Sequence, residues 1–262
     1  MSYLIGITGK GGVGKTTVAA LLTILSVKKG LRPVLAVDAD PNTCLDAALG
    51  VAAEKTVGAI REEARQIAGR IVLSGISKAE MLAVKISECL VEADDFDLIA
   101  MGRPEGPGCY CYANNVLKSV LDEISSHYPI VVLDNEAGLE NLSRRIVQRL
   151  NLLVMISDPS RRGLDTVRRL HTLAHEMEIR YDRLAIVINR IRTDESMPAL
   201  SELKTGTGAD YLVTLTEDPE LAEMGEAGKS LWSVSPANPV VERLDEFFEH
   251  LDLGAPASRR LV

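Results

Sequence analysis

Nine residues near the start of the chain, Gly9-Lys10-Gly11-Gly12-Val13-Gly14-Lys15-Thr16-Thr17, fit the pattern G-x-x-x-x-G-K-[ST]. An apolar, β-branched run from Tyr3 to Thr8 precedes them, and a helical pattern from Lys15 to Lys29 follows. That strand–loop–helix context marks a phosphate loop rather than a chance Gly-rich turn. Glycines let consecutive backbone N–H groups converge on an anion with no Cβ in the way, and the helix adds its positive end. The pattern places Lys15 at the β- and γ-phosphates of a nucleotide and the Thr16 hydroxyl on Mg²⁺. Gly11, Gly12, Val13, Gly14 and Thr17 complete the expected cradle.

Further along, short apolar runs alternate with helical segments. Strands are expected at Pro33 to Val37, Phe96 to Met101, Pro129 to Asp134, Leu152 to Ser157, Leu184 to Asn189 and Tyr211 to Leu215. Val57 to Ala68, Lys78 to Val91 and Ala113 to Ser125 carry helical periodicity. Runs such as IVVLD and LLVMIS are apolar throughout, which suits strands covered on both faces of a parallel sheet. The expectation is a doubly wound α/β fold, mainly parallel, with helices on both faces, of the P-loop NTPase type. One ATPase domain over 1–253 and a loose tail over 254–262 account for the length, because no linker-like break in composition appears.

Composition removes several function classes. With 29 Lys+Arg against 37 Asp+Glu the net charge is −8, and aromatic residues are 4%. An unspecific nucleic-acid or anionic-membrane binder wants a basic face, and base stacking wants aromatics. The apolar runs are strand-length, short of the ~20 residues a membrane helix needs. The opening residues MSYLIGITGKGG have no basic leader segment, so a cytoplasmic location is expected.

Two carboxylate-bearing segments stand beside the loop in this topology. Strand two ends in Val37-Asp38-Ala39-Asp40-Pro41-Asn42. A carboxylate at that strand edge lies near the γ-phosphate, where it can orient a water for in-line attack. Ile130-Val131-Val132-Leu133-Asp134 runs into Asn135-Glu136-Ala137-Gly138. Asp134 is expected to hold a magnesium-bound water, and Gly138 to offer its N–H to the γ-phosphate. With its second lysine, K-G-G-x-G-K-T resembles the deviant Walker A of the MinD, ParA and nitrogenase-iron-protein group. The resemblance implies ATP or ADP with Mg²⁺ as cofactors and implies that Lys10 reaches across a dimer interface to the partner's nucleotide. It puts Asp40 at the catalytic switch position and Asp38 near the Mg²⁺ shell. Asn189, in Ile186-Val187-Ile188-Asn189-Arg190, would read the adenine edge.

A second cluster separates the chain from most of that group. The loop Met101-Gly102-Arg103-Pro104-Glu105-Gly106-Pro107-Gly108-Cys109-Tyr110-Cys111-Tyr112 carries a C-x-C pair. In an extended or turn segment the sulfurs of Cys109 and Cys111 can grip one soft metal ion. Two thiolates do not close a four-coordinate site, so other ligands help or a symmetry mate supplies the same pair. Buried structural cysteines and a redox pair are the competing readings. GRPEGPGCYCYANN, with the phosphate loop and DNEAGLE, looks like the CooC family, from Tyr3 to about His250. That resemblance implies a homodimer binding one Ni²⁺ or Zn²⁺ through Cys109 and Cys111 of both subunits. It also implies carbon monoxide dehydrogenase, or the related acetyl-CoA synthase, as client. A MinD/ParA-like positioning switch and an iron–sulfur redox carrier are the alternative functions.

The remaining candidates read as structure. Cys44 and Cys89 are expected as core thiols, and Trp232 as packing. His171 and His175 stand at i,i+4 on one helix face, a spacing that can bind a metal, but with no third ligand evident the pair reads as a solvated face. The pairs Arg161-Arg162 and Arg168-Arg169 could form a basic stripe for a partner protein, but read better as a surface helix with ordinary ion pairs.

Overall fold

The structure is a computed structural model and describes residues 2–59, 87–103, 110–139, 142, 146–147, 149–192, 197–251 and 253. Eight strands form one sheet: β1 (Tyr3–Gly9), β2 (Val34–Ala39), β3 (Leu90–Glu92), β4 (Phe96–Ala100), β5 (Ile130–Asn135), β6 (Leu150–Ser157), β7 (Tyr181–Ile191) and β8 (Tyr211–Thr216). The order across the sheet is β3-β4-β2-β5-β1-β6-β7-β8. Every pairing is parallel except β3 with β4.

The apolar strands behave as both-face burial requires. All six residues of β2 and all six of β5 are buried. Alternate residues feed two cores: Val34, Ala36, Ile130 and Val132 face one way, and Leu35, Val37, Val131 and Leu133 the other. The first core is closed by α1 (Lys15–Lys28), α2 (Leu45–Leu49), α6 (Pro219–Glu226) and α7 (Pro239–Glu249). The second is closed by α3 (Tyr110–Ile124), α4 (Arg161–Glu176) and α5 (Met197–Thr207).

Helix α1 is buried almost all round, from Val18 to Val27. Its two interior hydroxyls are satisfied within the helix: Thr23 donates to Ala19 O at 2.9 Å and Ser26 to Leu22 O at 2.7 Å. Helix α7 starts on an Asn238 cap that accepts from Val240 N and Val241 N, with Pro239 in the first turn. Its apolar face, Val240, Val241, Leu244, Phe247 and Phe248, is seated in the core.

Three expectations change. The end of the helical pattern Lys78 to Val91 is a strand: Leu90–Glu92 turns back on β4 as an antiparallel edge, with Ala93 N donating to Phe96 O at 3.0 Å. Residues 78–86 lie outside the described residues, as do 60–68 of the expected helix at Val57. Strand β7 extends well beyond Leu184 to Asn189 at both ends. Helix α3 begins at Tyr110, so the backbone of Cys111 is helical rather than extended or in a turn. Cys109 and the proposed tail, 254–262, lie outside the described residues.

The sheet order has one consequence for the site. β5 intervenes between β1 and β2, so the carboxyl ends of the strands leading to the phosphate loop, to Asp40 and to Gly138 lie side by side. Ligands of open α/β sheets sit at such a crossover. If α7 is core rather than appendage, Phe248→Ala (1% exposed in the native chain) costs about 3–5 kcal/mol. A lowered urea midpoint at unchanged m-value reads that loss; an unchanged midpoint contradicts it.

Candidate functional site

The phosphate loop leaves β1 at Gly9 and enters α1 at Gly14, whose φ of 97° is in the left-handed region that favours glycine. A Cβ there would also stand 2.5 Å from Asn189 Nδ2. The space is occupied because Asn189 Nδ2 donates to Val13 O at 2.9 Å, tying the end of β7 to the loop. Asn189 Oδ1 accepts from Arg190 N at 2.9 Å. One amide proton and one lone pair therefore remain for a base edge. Lys15 is buried, and its ammonium folds back to Lys10 O at 3.3 Å. Lys10, Gly11 and Gly12 are exposed, and Thr16 and Thr17 are half-buried on the first turn of α1.

Parallel pairing aligns Ile7 and Asp38 with Asp134, one on each side. Asp134 points toward α1 and accepts from the Thr16 hydroxyl at 2.7 Å through Oδ2. Its Oδ1 is buried with no hydrogen-bond partner. Burial foremost, then the charge of Asp38, pushes the Asp134 carboxyl up to about 7, against the opposing pull of Thr16 and Lys15. Asp38 is fully buried but well satisfied: Oδ1 accepts from Asp40 N at 3.0 Å, and Oδ2 from Cys44 N and Leu45 N at 2.9 Å each. Burial still pushes it up to about 6. Asp38 thus closes the loop between β2 and α2.

Asp40 is half-buried on that loop, and its Oδ1 accepts from both Asn42 N and Asn42 Nδ2 at 2.9 Å. The Asn42 Oδ1 in turn accepts from the Arg103 guanidinium. Met101 N donates to Asp38 O at 2.7 Å, so two bonds tie the exit of β4 to the Asp40 loop. Gly138 has φ 94°, and its N–H donates to Gly9 O at 3.1 Å rather than projecting outward; its carbonyl accepts from the Thr8 hydroxyl. The Gly138 N–H expected at the γ-phosphate is here bonded to Gly9 O, because the loop after β5 closes on the backbone of β1.

Sequence reasoning passed over Arg103, Thr8 and Asn135. Asn135 donates from Nδ2 to Ile7 O at 2.9 Å, while its Oδ1 is buried and unpartnered. A polar residue ending an otherwise apolar strand was the available signal. Arg103 carried none, since its contact depends on tertiary placement.

Cys44, expected in the core, is exposed. It precedes the first turn of α2, where its N–H is spent on Asp38 and its side chain faces out. Cys89 is buried. Trp232 stacks on Phe96 with ring centroids 5.8 Å apart. Arg161, Arg162 and Arg169 are exposed, and Arg168 pairs with Asp165 at 2.9 Å. Among the described residues no group of three or more His, Cys, Asp or Glu is arranged around a common point for a metal, and no helix is long and apolar enough to cross a membrane.

The sheet order, the loop and the two buried carboxylates define a P-loop ATPase. The chain belongs to the CobQ/CobB/MinD/ParA nucleotide-binding family, whose model, CbiA, matches residues 4–231. It is 40% identical over 249 residues to an uncharacterized ATP-binding protein of Methanocaldococcus jannaschii, covering 95% of this chain and 98% of that one. It is 28% identical over 244 residues to the carbon monoxide dehydrogenase accessory protein CooC of Rhodospirillum rubrum, covering 89% and 90%. A ParA family ATPase from Chlorobium tepidum has the same fold, with TM-score 0.72 at 19% identity, covering 96% and 99%.

The family implies Mg²⁺ with its nucleotide, and the residues fit that ion. The orphaned, buried Asp134 Oδ1 beside the Thr16 hydroxyl offers the hard oxygen donors that Mg²⁺ and its waters take. A testable sign follows from the raised Asp134 carboxyl. Between the ordinary carboxylate value of 3.8 and about 7 the folded protein binds more protons than the unfolded chain. Stability is therefore lost as pH rises through that window. Asp134→Asn removes the charge and should raise the Tm of nucleotide-free protein by roughly 5 °C at pH 8, fading toward pH 4. Thermal melts at both pH values check this; a lower Tm for the variant at pH 8 contradicts it.

Proposed function

We propose that this chain is an ATP-hydrolysing maturation factor that works as a homodimer. Its cargo would be a soft divalent ion, Ni²⁺ or Zn²⁺, and its client carbon monoxide dehydrogenase or the related acetyl-CoA synthase. The observation that carries the reading is the Cys109–Cys111 pair in a chain otherwise built as a family ATPase. Similarity to a carbon monoxide dehydrogenase accessory protein, over about nine-tenths of both chains, supports it. Two thiolates half-fill a four-coordinate site, so a twofold axis through the ion supplies the other two.

In this reading each nucleotide residue takes a role that its position supports. The Lys15 ammonium leaves Lys10 O for the β- and γ-phosphates. The Thr16 hydroxyl and the Asp134 carboxylate would hold Mg²⁺. When bound, the ion neutralises charge on the phosphates. Gly11, Gly12, Val13, Gly14 and Thr17 surround the phosphates, and Asn189 offers its remaining amide proton and lone pair to adenine. Asp40 orients the water that attacks the γ-phosphorus, in line with the β–γ bridging oxygen whose bond breaks. Arg103, through Asn42, holds that carboxylate in place. Gly138 trades Gly9 O for the γ-phosphate and returns when the phosphate leaves, so hydrolysis moves a loop. Lys10, exposed at the tip, serves the partner's nucleotide. The moved loops then change the dimer's grip on the cargo, a coupling that runs equally in both directions.

A positioning switch on membrane or DNA is the second reading, because the family includes MinD and ParA. Helix α7 argues against a membrane role. Its apolar face is buried, and its exposed residues Glu242, Arg243, Glu246 and Glu249 are mainly acidic.

One experiment separates these readings: metal content and sedimentation equilibrium on anaerobically purified protein, with and without Mg·ATP. The Cys109→Ala/Cys111→Ala variant, which still binds ADP, is expected to lose one tightly held ion per dimer relative to the native chain. Lys10→Ala should keep the ion and lose the ATP-driven gain in mass. Undiminished metal in the double cysteine variant overturns the proposal, and ATP-dependent capture on liposomes or DNA favours the switch.

A further inference from the structure

The last turns of α4 hold a pair of imidazoles that the nucleotide site does not use. His171 is half-buried and His175 exposed, one helical turn apart on the same face. Their rings meet edge to face with centroids 4.7 Å apart, and the two Nε2 atoms converge to 3.2 Å. The Tyr181 ring, at the start of β7, packs against His175 with centroids 6.4 Å apart. The rings are thus aimed at one point rather than fanned into solvent.

That spacing has chemical content. Two imidazole nitrogens each about 2.0–2.1 Å from one ion stand roughly 2.9–3.4 Å apart when the angle at the metal is about 90–110°. The observed 3.2 Å falls inside that range. One proton shared between the rings satisfies the pair in the absence of an ion, and an ion replaces that proton.

We propose that His171 and His175 form a bidentate site for a borderline divalent transition ion, Zn²⁺, Ni²⁺ or Cu²⁺, at the far end of the sheet from the phosphate loop. Imidazole donors select these ions over Mg²⁺ or Ca²⁺. Among the described residues no third protein ligand joins the pair, so the site keeps open positions for water or for a donor from another molecule. Because α4 begins at the carboxyl end of β6 and ends just before the amino end of β7, the site and the nucleotide lie at opposite ends of the sheet. An ion held here is reachable by a partner without disturbing the ATPase centre. The inference stands apart from the proposed cysteine site.

The test is isothermal titration of untagged Cys109→Ser/Cys111→Ser protein with ZnCl₂ or NiCl₂, and with MgCl₂ as control. One site in the micromolar range is expected for Zn²⁺ and Ni²⁺ and no matching site for Mg²⁺. His171→Ala and His175→Ala should each weaken it by at least about tenfold, since either change leaves a single ligand. Melting curves and ATPase rates of both variants should match their parent. Titrations unchanged by either substitution, or no Zn²⁺ and Ni²⁺ binding below millimolar concentration, overturn the proposal.

Discussion

Asp134 is the constraint on which the site depends. It is buried at the end of a strand clamped between β1 and β2, bonded to Thr16 by one oxygen and to nothing by the other. A buried carboxylate with an orphaned oxygen is costly, and it persists where a ligand relieves the cost. The neighbouring Asp38 raises that cost, and its own three backbone bonds fix the loop bearing Asp40. Sheet order, loop shape and electrostatics therefore meet at one point. Inserting β5 between β1 and β2 places two acids in adjacent register, and the phosphate loop crosses their open end.

The same arrangement explains how such a chain can respond to its nucleotide. Gly138 is bonded to Gly9, Asn189 to Val13, and Asn42 both to Asp40 and to Arg103. Each bond joins a loop from a different strand to the phosphate loop or to its carboxylates. The ends of β2, β4, β5 and β7 meet at the same edge of the sheet and are joined there by these bonds. Arg103 is of special interest here, since it stands at the start of the segment that leads to Cys109.

Much of the fold was legible because its signals were local. Uniformly apolar strands such as β5 and β6 announced a parallel sheet covered on both faces, and the phosphate loop announced the strand and helix around it. The missed strand, Leu90–Glu92, is three residues long at the sheet edge, and its neighbours carry helical periodicity, so only pairing with β4 defines it. The structure brings Lys15, Thr16, Asp40, Asp134, Gly138 and Asn189 to one edge of the sheet, and motif order foreshadowed that grouping. The i,i+4 spacing of His171 and His175 already put the two imidazoles on one helix face. The Arg103–Asn42 contact was not legible, because it depends on side-chain directions set by tertiary packing. The exposure of Cys44 escaped for the same reason, because Asp38 draws its backbone N–H inward and leaves the thiol outside.

The most direct test of this account is the proton balance of Mg·ADP binding at pH 7, by calorimetry in buffers of different ionisation enthalpy. If the Asp134 carboxyl is held near 7 and becomes ionised beside the bound ion, binding releases about half a proton, fading above about pH 8.5 and vanishing in the Asn variant. Binding heats that are independent of buffer, or a release that persists unchanged in that variant, would contradict the central role given to this buried acid.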